Sequence, residues 1–168
     1  MTRLMIDLCA GLGGWQAPFN DNGWQTVGVD IQRMDGVDVQ ADVRQLPLDC
    51  SPTLVTASPP CEAFSTAWNR WTPLSERDPD TSVWDGCLRA IQQLNPRWWI
   101  LENVAGAQHW FGPADKSCYP WMLWGDFPPF DAPDLRSKGE TWNQDPSETA
   151  KIPYRLADSL RQSIEWYL

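Results

Sequence analysis

LMIDLCAGLGGW, residues 4–15, decides the fold class. Its first six residues form a short apolar run that reads as a buried strand, and GLGG breaks that run with a tight turn. Three more short apolar runs follow, VGVD (27–30), LVTAS (54–58) and WWILEN (98–103), each bounded by turn residues. Between the last two, Val83, Trp84, Cys87, Leu88, Ile91 and Leu94 recur at helical spacing, and Asn95 with Pro96 ends that helix. The chain closes with KIPYRLADSLRQSIEWYL. Pro153 there suits a first helical turn, and Leu156, Ala157, Leu160, Ile164 and Tyr167 make one apolar stripe. Residues 111–149 show little periodicity and read as loop and short strand. Strands alternating with helices give an α/β chain with a mostly parallel sheet flanked by helices. Ligands of such sheets sit beyond the carboxyl ends of the strands, where GLGG, Asp30, SPPC (58–61) and ENV (102–104) all fall.

At 168 residues the chain reads as a single domain, 1–168, able to hold its own core without disulfides. Its 13 basic and 22 acidic side chains leave a net charge of −9, which opposes a large electrostatic grip on nucleic acid. The acids concentrate in 1–60 and 126–148, so a polyanion has to meet the middle or the end of the chain. Five cysteines at irregular spacing and one histidine, His109, exclude a disulfide framework and a structural zinc site, and no metal is expected. The longest apolar runs are too short to cross a bilayer, and no membrane partner is expected. Met1, Thr2 and Arg3 run straight into the first strand without a leader pattern, so the expected location is cytoplasmic.

Three constellations carry chemistry. Glycines in DLCAGLGGW (7–15) let a ligand approach the backbone closely, and the helix that follows offers free N–H groups. Asp30, 16 residues beyond Gly14, ends the next strand, where an acid commonly binds ribose hydroxyls. The spacing is not G-x-G-x-x-G, which disfavours a dinucleotide; the plain alternative is a tight turn. In ASPPCEAFS (57–65) two prolines stiffen the backbone before Cys61, so a rigid thiol stands at the ligand edge as a nucleophile candidate; the alternative is a buried cysteine in a proline turn. Phe64 stands where a zinc deaminase needs its second cysteine, which removes that chemistry. Glu102 ends an apolar strand, where burial raises a carboxyl's pKa and suits it to proton sharing; the alternative is a loop cap.

Together these motifs, in this order, closely resemble the cytosine C5 methyltransferase family, over nearly the whole length. The resemblance implies the Rossmann-like fold of AdoMet-dependent methyltransferases and S-adenosyl-L-methionine as cofactor, with S-adenosyl-L-homocysteine as product. It places Asp7, Ala10, Gly11, Gly13 and Gly14 in the cofactor signature, with Trp15 stacking near the adenine. Asp30 and Ile31 fall at the ribose, Asp42 and Val43 near the adenine amino group, and Pro59 on the cofactor side of the catalytic loop. Pro60 and Cys61 match the catalytic loop itself, and Glu102 and Asn103 the glutamate motif. The segment around IPYRLADSL is similar to a terminal helix that completes the cofactor pocket. In this chemistry the Cys61 thiolate adds to C6 of cytosine, Glu102 shares a proton with N3, and C5 becomes nucleophilic enough to take a methyl group. In a duplex the base is first flipped out of the stack.

The chain also departs from the family. The arginine motif Q-x-R-x-R is missing, and GPADKSCYPWMLWG (112–125) offers Lys116 and Tyr119 in its place. Ala150 and Lys151 stand where a Gly-Asn pair precedes the last motif, and the target-recognition domain is absent or reduced to about 126–150. Ser65, Trp68, Arg70 and Trp71 are the expected substrate contacts of the loop after Cys61, with Arg70 and Arg77 as phosphate contacts. The expected activity is C5 methylation of cytosine in double-stranded DNA with short or relaxed sequence context. Solitary enzymes of this size resemble those of phages, where methylation evades host restriction, and the location is then the host cytoplasm. RNA, free cytosine nucleotides, a non-catalytic AdoMet-binding regulatory role and a homodimer stay open.

Overall fold

Seven strands follow one another in the computed structural model: β1 (Leu4–Leu8), β2 (Gln25–Asp30), β3 (Val39–Gln40), β4 (Leu54–Ala57), β5 (Trp98–Val104), β6 (Lys116–Cys118) and β7 (Trp121–Asp126). Residues 3–66, 71–135 and 151–168 are described; Trp68, Arg70 and positions 136–150 of the expected recognition remnant lie outside them. The strands form one sheet in the order β3-β2-β1-β4-β5-β7-β6. The pairs β2–β3, β1–β2, β1–β4 and β4–β5 are parallel, and β7 runs antiparallel between β5 and β6. A mostly parallel α/β sheet is therefore what the alternation of short apolar runs encodes. All four residues of β4 are buried, as are four of the five in β1. That is the near-continuous apolar pattern of strands covered on both faces.

Among the described residues, four α-helices cover the sheet: α1 (Gln16–Asp21), α2 (Ser82–Leu94), α3 (Gln108–Phe111) and α4 (Tyr154–Trp166). One core lies on the face of α2, where Trp84, Cys87, Ile91 and Leu94 meet Ile6, Val55 and Leu101. Asn95, at φ 45°, ends α2 in the left-handed conformation that caps helices, so the expected stop is where the sequence put it. The opposite core joins Trp15, Phe19 and Trp24 to Leu156, Leu160 and Ile164 of α4. Each of those three α4 side chains is fully buried and contributes about 1.5–3 kcal/mol of burial.

One expectation needs correction. Tyr167 is not part of the α4 stripe, because the helix ends at Trp166 and Tyr167 is its exposed cap. Arg161 is the buried cap-side charge instead, held by Asp158 and Glu165 at 2.7 Å each. The region read as loop and short strand holds two short strands among its described residues, β6 and β7, and Met122, Leu123 and Trp124 of β7 are buried.

The strand order sets the position of the site. From β1 the chain runs outward through β2 to β3, then returns to β4 on the other side of β1. The carboxyl ends of β1 and β4 therefore flank the point where the winding reverses, which is where sheets of this kind place their ligands.

Candidate active site

The turn after β1 is held open by backbone conformation. Cys9, Gly11 and Gly13 have φ of 55°, 51° and 70°, a region that only glycine enters without cost. The Gly11 N–H donates to Asp30 Oδ2 at 3.1 Å, and the Gln32 N–H donates to Asp30 Oδ1 at 2.9 Å. Each carboxylate oxygen keeps a lone pair for a further donor, which suits a ribose diol. A Cβ added at Gly11 would meet only Met34 Sδ, at 3.8 Å, so the ledge above Gly11 is open. Ile31, 59% exposed, adjoins Asp30 and offers an apolar face there. The open ledge, the oriented carboxylate and the apolar face fit a nucleoside cofactor.

Other members of the signature lie beneath that ledge. Asp7 is buried, accepts Thr56 Oγ1–H at 2.7 Å and Gln16 Nε2–H at 3.4 Å, and is pushed up to about 7 by burial. It ties β1 to β4 and α1 and does not reach the ledge. A Cβ at Gly14 would lie 2.7 Å from the backbone N and O of Ile152, so this glycine admits the segment leading into α4. Ala10 is buried in the turn, and Gly13 packs against Gly36. Trp15 is corrected: its ring is 1% exposed in the core under α4, with Nε1–H donating to Ser58 Oγ at 3.0 Å, so it presents no face to an adenine. Asp42 also differs from expectation. It caps the 43–45 turn and pairs with Arg44 at 2.6 Å, with both oxygens engaged by the guanidinium, while Val43 is buried.

The nucleophile candidate follows β4. Pro59 is buried and its carbonyl accepts Asn103 Nδ2–H at 3.0 Å, so Asn103 ties the loop of β4 to β5; Pro60 is exposed. Residues 61–65 close a helical turn in which the N–H groups of Phe64 and Ser65 donate to the Cys61 carbonyl at 3.0 and 2.9 Å. Phe64 anchors the turn, its ring 5.3 Å from Trp110 and 5.2 Å from Phe111. Gly106, just past β5, sits against it so closely that an added Cβ would lie 2.1 Å from the Phe64 carbonyl oxygen. Cys61 is half-buried, and burial, then the charges of Glu62 and Glu102, push its thiol up to about 11. Among the described residues no cation offsets that rise. Glu102, buried at the end of β5, is pushed up to about 7 by burial against the hydrogen bond of the Ser58 hydroxyl. The site thus pairs a shielded thiol with a carboxyl able to hold or release a proton near neutral pH.

The substrate side is less complete. Trp71 is 89% exposed beside this loop, and Ser65 lends its carbonyl to Arg77. Arg77 is corrected from a phosphate contact to an internal clamp. Its Nη1 donates to the carbonyls of Ala63 and Ser65, and its Nε to that of Thr72. Lys116 is not brought to Glu102. The register runs Glu102–Leu123–Lys116 across β5, β7 and β6, which separates the two by about 10 Å. Its ammonium lies 4.7 Å from the Phe130 ring centre. Sequence reading missed Gln16, Thr56, Ser58 and Gly106 as parts of the site; only Ser58, inside the SPPC motif, carried a local signal.

Residues 30–110 match the model of a family described as C-5 cytosine-specific DNA methylase. The type II methyltransferase M.DdeI of Desulfomicrobium norvegicum is 24% identical over 125 residues, covering 61% of this chain and 28% of that protein. M.AplI of Arthrospira platensis, also a type II methyltransferase, is 29% identical over 114 residues, covering 61% of this chain and 32% of that protein. The S. pombe Dnmt2 methyltransferase structure aligns at a TM-score of 0.41 and 18% identity, over 62% of this chain and 35% of that one. The chain spans about a third of the length of the curated relatives it matches.

Proposed function

We propose that this chain belongs to the C5-cytosine DNA methyltransferase family, carries part of its domain, and methylates C5 of cytosine in DNA through a covalent bond between Cys61 and C6. One observation carries the reading. Adjacent parallel strands β1, β4 and β5 deliver the glycine turn, Cys61 and Glu102 to one sheet edge, with Asp30 beside them on β2. S-adenosylmethionine, held by the Gly11 ledge, Asp30 and Ile31, supplies an electrophilic methyl group.

The chain's own groups do the rest. Cytosine C5 is a weak nucleophile until the aromatic ring is broken. Cys61 loses its proton to solvent water and its sulfur adds to C6, while Glu102 releases its proton to N3, so the ring becomes an enamine with nucleophilic C5. Protonated Glu102 also removes one of the two negative charges that oppose the Cys61 thiolate. After C5 is methylated, a base takes the C5 proton, Glu102 recovers its proton from N3, and the C6–sulfur bond breaks. Trp71 offers an exposed ring on which a neighbouring base can stack.

A second reading, methylation of a free cytosine nucleotide, is favoured by the net charge of −9 and by the inward commitment of Arg77. Labelled S-adenosylmethionine with duplex DNA, tRNA or dCMP, using wild type and Cys61→Ala, separates the readings. Label in DNA, lost in Cys61→Ala, is the expected result. Transfer undiminished by Cys61→Ala overturns the covalent step. Label confined to dCMP or tRNA overturns the substrate, and cofactor binding without any transfer supports a regulatory chain.

A further inference from the structure

We infer that Trp15 and Ser58 are positioning residues that set the direction of the hydrogen bond to Glu102, and so decide which of its carboxyl oxygens carries the acid proton. The inference rests on the proposed role of Glu102 as the proton partner of the cytosine ring. Ser58 is the first residue beyond β4, and the register that pairs Ala57 with Leu101 places it opposite Glu102. Residues opposite one another on neighbouring strands project to the same face, here the face of Trp15 and α4. The Ser58 main chain is fixed, because its N–H donates to Leu8 at 3.1 Å and the next residue, Pro59, is held by Asn103.

Hydrogen-bond chemistry then sets the direction. An indole N–H is a donor only, so at 3.0 Å from Trp15 Nε1 the Ser58 oxygen has to accept. One lone pair is thereby taken and its single hydrogen is free for the Glu102 carboxyl, and a donation to the ionised carboxyl is what lowers Glu102 against the effect of burial. The oxygen receiving that hydrogen is an acceptor, and the acid proton is left to the other oxygen. Proton transfer breaks that O–H bond, forms an N–H bond at N3 and leaves the electron pair on a carboxylate already hydrogen-bonded by Ser58. Without Trp15 Nε1 the hydroxyl could turn away, and either oxygen could carry the proton. Among the described residues, few titratable groups face Glu102. Cys61 on the β4 loop feels its charge, Leu123 stands opposite on β7, and Lys116 further along that row is held over Phe130.

Glutamate carboxyl carbons labelled with 13C and titrated by NMR test this without substrate, the Glu102 signal being the one lost in Glu102→Gln. Ser58→Ala is expected to raise the Glu102 midpoint by about one pH unit, the scale of a hydrogen bond to a charged acceptor. Trp15→Phe keeps the ring packing and is expected to raise it less, and Ser58→Thr to restore it. In DNA methylation kcat falls about tenfold in Ser58→Ala with KM little changed, and the alkaline limb moves with the NMR midpoint. An unmoved midpoint in folded Ser58→Ala, or in Trp15→Phe, overturns the inference. If the midpoints move but wild type methylates no DNA, the pair stands and the reaction assignment falls.

Discussion

Gly106→Ala tests whether the nucleophile and the acid share one mechanical support. The added Cβ would lie 2.1 Å from the Phe64 carbonyl oxygen, and real Cβ atoms stay beyond 3.0 Å, so about 0.9 Å of movement is forced. Neither side yields easily. Phe64 is wedged between Trp110 and Phe111, and Arg77 holds the carbonyls of Ala63 and Ser65 on either side of it. Gly106 belongs to the short turn that begins as β5 ends, with Ala107 fully buried behind it. The displacement therefore reaches Cys61, Glu102 or both. A shift near 1 Å at reacting groups costs on the order of 10²-fold in rate, and overpacking costs about 1–3 kcal/mol of stability. The cofactor ledge on β1 and β2 shares no close atom with Gly106, so cofactor affinity is expected to stay within twofold. Single-turnover label transfer at saturating cofactor and DNA reads the rate, calorimetry reads cofactor binding, and thermal melting reads stability. Gly112→Ala is the control: nothing lies within 4 Å of its added Cβ, and its φ of 79° costs stability of about 1–3 kcal/mol but no rate. Wild-type single-turnover rate in a folded Gly106→Ala would refute the coupling, as would a loss explained wholly by cofactor affinity.

Asp7, raised from 3.8 to about 7, is neutral in both states at low pH; as pH rises the unfolded chain ionises first, so stability is lost from about pH 4 to 7 and then levels off. Asp7→Asn should therefore widen its stability advantage between pH 5 and 8 by about 2–3 kcal/mol in urea unfolding, and a pH-independent gap would contradict this. Cys61, raised to about 11, leaves only about 10⁻⁴ of the chains as thiolate at pH 7, so iodoacetamide should label it slowly, with a rate rising to that midpoint and a lower midpoint in Glu62→Gln. A midpoint near 9 in wild type would show that the three causes do not act. If Arg77 clamps carbonyls, Arg77→Lys should lose kcat/KM for DNA nearly as far as Arg77→Ala, because lysine lacks the planar fork. Near-normal activity in Arg77→Lys, with a shallower salt dependence in Arg77→Ala, would restore it as a phosphate contact.

The places of Gly11, Asp30, Cys61 and Glu102 at one sheet edge were legible because each lies at or just beyond the end of an apolar run, and a run's end fixes which sheet edge it reaches. Trp15 was not. It adjoins the glycine turn in sequence, but the first turn of a helix rotates about 100° per residue, and its ring points into the α4 core. Arg77 was misjudged because a charge signals solvent in a sequence, whereas here three turn carbonyls, two of them from residues over ten positions earlier, face its guanidinium. Gly106 gave no signal at all, since its partner Phe64 lies 42 residues away. β7 was legible only as a short strand somewhere in 111–149, and its antiparallel place beside β5 depends on long-range pairing that no short window contains.

The sheet edge that joins β1, β4 and β5 acts as a ruler. Neighbouring strands stand about 4.8 Å apart whatever their side chains, because the backbone hydrogen bonds set that interval. The glycine ledge and Glu102 stand on strands two intervals apart, with the Cys61 turn carried by the strand between them, so their spacing starts from the backbone and yields only where a substitution moves the 61–65 turn. The loop carrying Trp71 lies off this scale, fastened by the Arg77 fork. Substitutions around Trp71 can therefore change the surface beside the site without altering the interval between the strands that carry the ledge, Cys61 and Glu102.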